Sequence, residues 1–366
     1  MSGSWRAVEQ LLTEGVAEGL FPGAAVCVRS QDGECFTAVV GQAEQTPEPR
    51  AATLSTPWDL ASITKILGTT PLAMRFVGQG ILDLDAPIAE RIPDAPNGVT
   101  TAHCLSHTSG LPPWRALFET LTDQARWGSP EVRAEGLRLA RTAPVAAPPG
   151  ERYAYSDLGF MLLCALLEEI GGERLDVLWH REVGAHCGAD LRWGWPGAAA
   201  TEDCPTRGRV IVGEVHDLNT AVLGGVSSHA GLFGSVQSAA AAAAWQLRAL
   251  HGADEGLQAS VVRRFWTQRA VGSHRLGFDS PTPGIASAGP RWPLDGVGHT
   301  GFTGGSLWIA PRQGIVAALC SNRVHPTVEG GAVPGATGPK TIAFRRFRPR
   351  LFTAIVDALY AEGRWS

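Results

Sequence analysis

Apolar residues first recur at helical spacing over residues 4–19, where Val8, Leu11, Leu12 and Val16 share one face and Ser4 supplies an N-cap. The pattern changes at 23–41. Two runs rich in valine and small residues flank the turn SQDGE and predict a hairpin. Helical spacing returns over 62–80, 131–142, 157–171 and 238–252, the last an alanine-rich segment of high intrinsic propensity. The segment 157–171 is apolar almost all round until its acidic end, which marks a buried helix. Strand character reappears over 305–322, with a turn at PRQG. Residues 350–363 close the chain as a helix with Leu351, Ile355, Val356 and Leu359 on one face. Proline-rich loops occupy 85–98, and the Gly, Pro and Ser-rich stretch 273–296 reads as a long loop. The basic run KTIAFRRFRPR, 340–350, reads as a solvated loop ahead of the last helix, with a polyanion site as the lesser alternative.

Strands near both ends with helices between them predict an α+β fold. Its antiparallel sheet is made from N- and C-terminal segments flanked by helices, with a mostly helical domain inserted between them. The expected division is 1–60 plus 236–366 for the sheet domain and 61–235 for the helical one, with an active site in the cleft between.

Composition narrows the class. The chain has 366 residues, is 44% hydrophobic and 18% charged, and carries a net charge of −4 with a pI near 6.2. That balance fits a soluble globular protein and points to neither nucleic acid nor an anionic membrane as partner. Seven cysteines, odd in number and without a CxxC pair, argue for a reducing compartment. The first residues show no basic and then apolar leader, and no run of 18 apolar residues exists, so a cytoplasmic location is expected.

Only two of the 31 Lys and Arg residues are lysines, Lys65 and Lys340. Arginine stays protonated, whereas a buried lysine can act as a base. Lys65 stands three residues after Ser62. If Ser62 opens a helix, the two share a face, and the helix N-terminus favours an alkoxide on the serine and a neutral amine on the lysine. A serine beside a base is an activated nucleophile. Two of the chain's three tyrosines, Tyr153 and Tyr155, lie in PPGERYAYSDLGFMLL, 148–163, just before the buried helix. A third segment, GHTGFTGGSLWIAP, 298–311, offers backbone N–H groups and small side chains at the start of a strand. No G-x-S-x-G elbow is present, which removes an α/β-hydrolase reading. His216, His229 and Asp217 follow no compact metal-ligand spacing, so neither metal nor cofactor is expected. His107 is read as a structural histidine. Lys340 in PKT, 339–341, has no assigned role.

In order and spacing, S-x-x-K at 62, Y-S-D at 155 and H-T-G at 299 resemble the serine β-lactamase and penicillin-binding protein superfamily. The likeness is nearest to its class C β-lactamase-like branch of esterases and D-aminopeptidases. HCLSHTSGLP, 103–112, PPGERYAYSD, 148–157, and GEVHDLNTAVLGGVSSHAGLFGS, 213–235, match further segments of that branch. The resemblance implies the β-lactamase/DD-peptidase-like fold and the following roles. Ser62 is acylated. Lys65 and Tyr155 act as general bases. The N–H groups of Ser62 and Phe302 form the oxyanion hole. Asp157, His299, Thr300 and Gly301 contact substrate, Asp157 standing where the family often has Asn and contacting Lys65 or a substrate amide. His299 stands where many members have a lysine that meets the substrate carboxylate. That difference, with the extra negative charge of Asp157, favours small neutral esters as substrates. β-Lactams or cell-wall peptides, acyl transfer through the same acyl-enzyme, and a non-catalytic ligand-binding descendant are the alternatives.

Overall fold

The computed structural model describes residues 3–253, 256–284, 287–329 and 338–365. Its main sheet has six antiparallel strands in the order Arg50–Ala51, Glu34–Glu44, Gly23–Ser30, Ile315–Ser321, Ser306–Ala310, Val297–Thr300. The hairpin expected at 23–41 and the strand pair expected at 305–322 lie at its centre. They join through Gly23–Ser30 and Ile315–Ser321, in register from Ala24 opposite Ser321 to Ser30 opposite Ile315.

Both faces of the central strands are buried, and side chains alternate between two cores. Ala24, Val26, Val28, Trp308, Ala317 and Leu319 meet the helices Arg6–Ala17 and Pro339–Ala361. Ala25, Cys27, Leu307, Ile309, Val316 and Ala318 meet the larger core, which continues through Trp245 of the helix Val236–Leu250 into the helices of the middle segment. Small side chains on that alanine-rich helix let its backbone come close to the sheet. Ser235 caps it by accepting the Ser238 N–H.

The first helix runs Arg6–Ala17, entered through a 3₁₀ turn at Gly3–Trp5 rather than capped by Ser4. The helix expected from Ser62 is not a single α-helix. Ala61–Ile63 form a 3₁₀ turn, Lys65–Thr69 a π turn, and regular α-helix covers Thr70–Gly78. A second correction concerns 340–350. The last helix starts at Pro339, so the basic run is helical and turns Phe344, Phe347 and Arg348 inward. The alternation of apolar and charged residues there is the near side of an amphipathic helix broken in sequence by Pro349.

The buried helix Asp157–Gly171 behaves as its composition demands. Ser156 accepts the Gly159 N–H at its start, and Gly172, in a left-handed conformation at φ +72°, ends it. Its first turn carries Asp157 to the base of the turn that holds Ser62. Among the described residues, no helix is long and apolar enough to cross a membrane.

Candidate active site

The turn bearing Ser62 is held from three sides. Asp59 ends a short strand, Trp58–Asp59, in a three-stranded sheet with Leu232–Gly234 and Leu191–Trp193. Its buried carboxylate accepts the Ala61 N–H (2.8 Å) and the His216 N–H (2.7 Å). Ala61 sits at φ +46°, in the left-handed region that non-glycine residues seldom occupy. The Asp59 carbonyl in turn accepts from Thr303 Oγ1 (2.7 Å), tying the nucleophile turn to the loop after His299-Thr300-Gly301. Sequence reading missed Asp59. Its signal was only an acidic residue three positions before the serine.

Lys65 is fully buried, and its Nζ donates to Ser62 Oγ (3.1 Å), Asp157 Oδ1 (2.7 Å) and the His229 carbonyl (3.2 Å). It also lies 4.9 Å from the centre of the Tyr155 ring and 5.2 Å from that of Phe160. Burial favours the neutral amine. The charges of Asp157 and Tyr155, with hydrogen bonds to both, outweigh it, so the lysine pKa is raised above its ordinary 10.5. This corrects the expectation of a neutral lysine. The helix-end argument omitted Asp157, 92 residues away in sequence. Asp157 therefore neutralises Lys65 and adds no net negative charge to the cleft. Burial also raises the Tyr155 phenol, more than the opposing charge of Lys65 and the hydrogen bonds from Lys65 and Ser62 lower it. The resting cluster is thus serine hydroxyl, ammonium, carboxylate and phenol.

His107 holds the Tyr155 segment. At φ +57° its carbonyl accepts the Ala154 N–H (2.9 Å) and its Nδ1 the Ser156 N–H (3.0 Å), and its ring centre lies 4.3 Å from that of Tyr155. His299 Nδ1 donates to the Thr300 carbonyl (2.7 Å). His274, in the long loop after residue 273, contacts the Tyr153 hydroxyl through Nδ1 (2.9 Å). One nitrogen of each of these buried histidines lies within 4.8 Å of the others, and each Nε2 is without a hydrogen-bond partner among the described residues. A metal would need a lone pair from every ring. The His107 Nδ1 pair is taken by Ser156 N–H, which puts the ring proton on Nε2, so the cluster as folded offers at most two ligands. Burial first, then the charge of Lys65 and the neighbouring imidazoles, keep His107 and His299 neutral well below the usual histidine range. His216 and His229 do not converge: one pairs with Glu202 (3.2 Å), the other with Asp217 (3.0 Å).

The edge strand Val297–Thr300 brings Gly301 and Phe302 beside Ser62. Gly301 N–H donates to the Gly305 carbonyl (2.8 Å), and no backbone acceptor among the described residues takes the Phe302 N–H. Two cavities meet at Ser62, Tyr155 and Phe302. One, of about 320 Å³, extends past His299 and Thr300 to Arg323, Arg345 and Arg348. The other, of about 130 Å³, is lined by Trp114, Phe118 and Leu218. The structure thus gathers Ser62, Lys65, Tyr155, Asp157, His299, Thr300, Gly301 and Phe302 in one place. It adds Asp59, His274 and three arginines that the sequence reading left out.

A hydroxyl in a buried amine, carboxylate and phenol cluster, where two cavities meet, is the setting of a serine hydrolase. Residues 8–336 match the family model described as Beta-lactamase, and the chain belongs to that family. It is 25% identical over 395 residues to an N-acetylmuramyl-L-alanine amidase of Bacillus subtilis (strain 168), covering 97% of this chain and 88% of the relative. It is 29% identical over 343 residues to an Escherichia coli (strain K12) protein bearing the provisional name D-alanyl-D-alanine carboxypeptidase, covering 79% and 76%. Among solved structures, that of EstCE1, a hydrolase with promiscuous acyltransferase activity, superposes with a TM-score of 0.75 at 20% identity, over 96% of this chain and 98% of the other. The β-lactamase-like α+β fold is therefore the one expected from the sequence.

Proposed function

We propose that the chain cleaves small acyl substrates, esters foremost, through an acyl-Ser62 intermediate. The observation that carries this reading is the buried Lys65 ammonium bridging Ser62 and Asp157 beside Tyr155. Loss of one proton from the Lys65 and Tyr155 pair leaves an acceptor beside the serine. That acceptor takes the Ser62 proton as Oγ attacks the acyl carbonyl, and returns it to the leaving group as the tetrahedral intermediate collapses. Water repeats the sequence in the second half-reaction and releases the acid. The N–H groups of Ser62 and Phe302 receive the oxyanion, each such donor contributing about 3 kcal/mol in comparable sites. Thr300 and Gly301 line the path of the bound substrate, and His299 supports it as a neutral ring. The natural partner on this reading is a small molecule, and neither nucleic acid nor membrane is involved.

Amide cleavage is the second reading, favoured by the names of the amidase and carboxypeptidase relatives. The seven free cysteines, six of them buried, support a reducing compartment such as the cytoplasm. The test is steady-state turnover of a short-chain p-nitrophenyl ester beside a chromogenic cephalosporin, for wild type and Ser62→Ala. Ester turnover lost in the variant, with little on the cephalosporin, supports the ester reading. Rapid cephalosporin turnover overturns it in favour of amides. Ester turnover that survives Ser62→Ala removes the serine mechanism altogether.

A further inference from the structure

A third cavity, of about 450 Å³, lies apart from Ser62, and none of its lining residues borders either cavity at the serine. Its walls come from segments far apart in sequence: the loop holding Trp127, the end of the strand Leu191–Trp193, the stretch from Arg207 to Val215, and the turn at 224–226. Hydrogen bonds tie these segments together. Gly128 N–H donates to the Val222 carbonyl (3.0 Å) and Trp195 N–H to the Gly213 carbonyl (2.7 Å). Gln124 Nε2 donates to the Thr206 carbonyl (2.7 Å), and Arg133 to those of Leu223 (2.7 Å) and Val226 (2.6 Å). Gly224, at φ +78°, lets the loop of Trp127 approach: a Cβ there would lie 2.8 Å from the Gly128 Cα. The next residue, Gly225, lines the cavity, and a Cβ on it would meet no atom within 4 Å. The wall there is bare backbone facing open space.

The charges around the cavity do not cancel. Three arginines and two acids line it. Arg174 is held by both oxygens of Asp176 (2.6 and 2.5 Å), and Arg209 by both oxygens of Glu214 (2.7 and 2.8 Å). Arg207 is different. Its guanidinium donates to two neutral acceptors, the carbonyls of Val215 (2.9 Å) and His216 (2.9 Å), and its buried Nε has no partner among the described residues. One positive charge is left without a carboxylate, half-buried, where it attracts an anion more strongly than in water. The two indoles on the walls, Trp127 and Trp193, are half-buried. Their N–H groups are already spent on the carbonyls of Leu121 (2.6 Å) and Ser227 (3.2 Å). What remains of them is ring surface, which suits a flat aromatic partner.

We propose that this cavity is a second ligand site, for a small planar aromatic anion, with its ring against the indoles of Trp127 and Trp193 and its charge beside Arg207. The site goes beyond the acyl-Ser62 reading and stands whether or not that reading holds. The pairing of Arg174 and Arg209 with their own acids leaves Arg207 to set the sign of the ligand.

The experiment is calorimetric titration of the wild type with 2-naphthoate, 2-naphthylmethanol and 2-naphthylmethylammonium. These carry the same ring with a negative, a zero and a positive charge. One site per chain is expected to take 2-naphthoate at least about fivefold more tightly than either of the others. Arg207→Gln should weaken 2-naphthoate about tenfold, to the level of the neutral alcohol, and leave the alcohol nearly unchanged. Trp127→Leu should weaken all three by about threefold or more. Trp127 stands on a loop and leaves the bonds of Arg207 in place, so this variant answers the question if Arg207→Gln fails to fold. No saturable binding, or no preference for the anion, overturns the proposal. So does an affinity for 2-naphthoate that is unchanged in both variants. In that last case a rise in ester KM with added 2-naphthoate would place the probe in the Ser62 cleft instead.

Discussion

Lys65 and Asp157 form a buried ion pair, Nζ to Oδ1 2.7 Å, with the serine hydroxyl 3.1 Å from the same nitrogen. The pair raises the lysine pKa above 10.5, and burial raises that of Tyr155, so at neutral pH the cluster holds one proton more than a base can. Ester kcat/KM is therefore expected to climb with pH above neutrality, with apparent pKa values that belong to the coupled pair. Asp157→Asn removes the charge that holds the ammonium and leaves the burial that opposes it. The rising limb should move to lower pH, by about one unit or more. A pH–rate profile identical in the variant would separate Asp157 from the proton balance. Lys65→Arg, which keeps charge and cannot deprotonate, should cost about 10³-fold or more in kcat while the protein stays folded. The stability sign follows from the raised value. The pair's contribution is fully present below pH 10.5 and is lost as pH rises through the higher folded value.

Gly301 sets the distance between the edge strand and the nucleophile turn. A Cβ there would lie 2.7 Å from the Leu60 carbonyl oxygen, which is backbone and cannot turn aside. Gly301→Ala should push Phe302 N–H away from the position it holds opposite Ser62. Because an oxyanion donor acts in the transition state, kcat should fall by about 10- to 100-fold with little change in KM. A fall in KM-controlled binding alone would place Gly301 in substrate packing instead.

The sheet and the Ser62, Lys65 and Tyr155 segments were legible in the sequence because each is written in a short stretch. Short continuous runs of valine and small residues mark Gly23–Ser30 and Ile315–Ser321 directly, and Ser62 and Lys65 lie within one turn. The rest depends on contacts between distant segments. Lys65 is charged because Asp157 arrives on another helix. His274 joins His107 and His299 from a loop whose composition shows only turns. Arg348 faces the cavity because the last helix begins at Pro339, eleven residues before the start assigned from 350 onward. Thr341, Phe344, Phe347 and Leu351 do recur at helical spacing. The arginines among them and Pro349 masked the apolar face, and a proline inside a helix is usually read as its boundary.

The smaller cavity at Ser62 has an apolar wall of Trp114, Phe118 and Leu218 beside polar groups that include Asp217 and His216. Its volume is about 130 Å³, room for a short acyl group and little more. Phe118→Ala should widen it and move the preferred acyl chain of p-nitrophenyl esters toward greater length, with kcat/KM for the shortest ester falling by about tenfold or less. An unchanged chain-length profile would assign the acyl group to the other cavity.

Three buried neutral histidines make the fold sensitive to acid. Burial lowers His107 and His299 well below 6.5 and brings His274 to about 4, with Lys65 repelling a proton from all three. Their folded pKa values are depressed while the unfolded ones stay near 6.5. Below that pH the unfolded chain takes up protons that the folded one refuses, and stability falls as pH drops. Each group steepens the fall by on the order of 1 kcal/mol per pH unit between its two values. The urea midpoint should fall steeply between about pH 6.5 and pH 4.5. In His274→Gln, which cannot take up a proton, the slope over that range should be smaller. Carboxylates that titrate lower down are common to both proteins and cancel in the comparison. If the slope is the same in His274→Gln and in His299→Asn, then these rings are already protonated in the folded protein. Both nitrogens of the His274 and His299 rings would in that case carry protons, and their Nε2 atoms would be donors without an acceptor among the described residues.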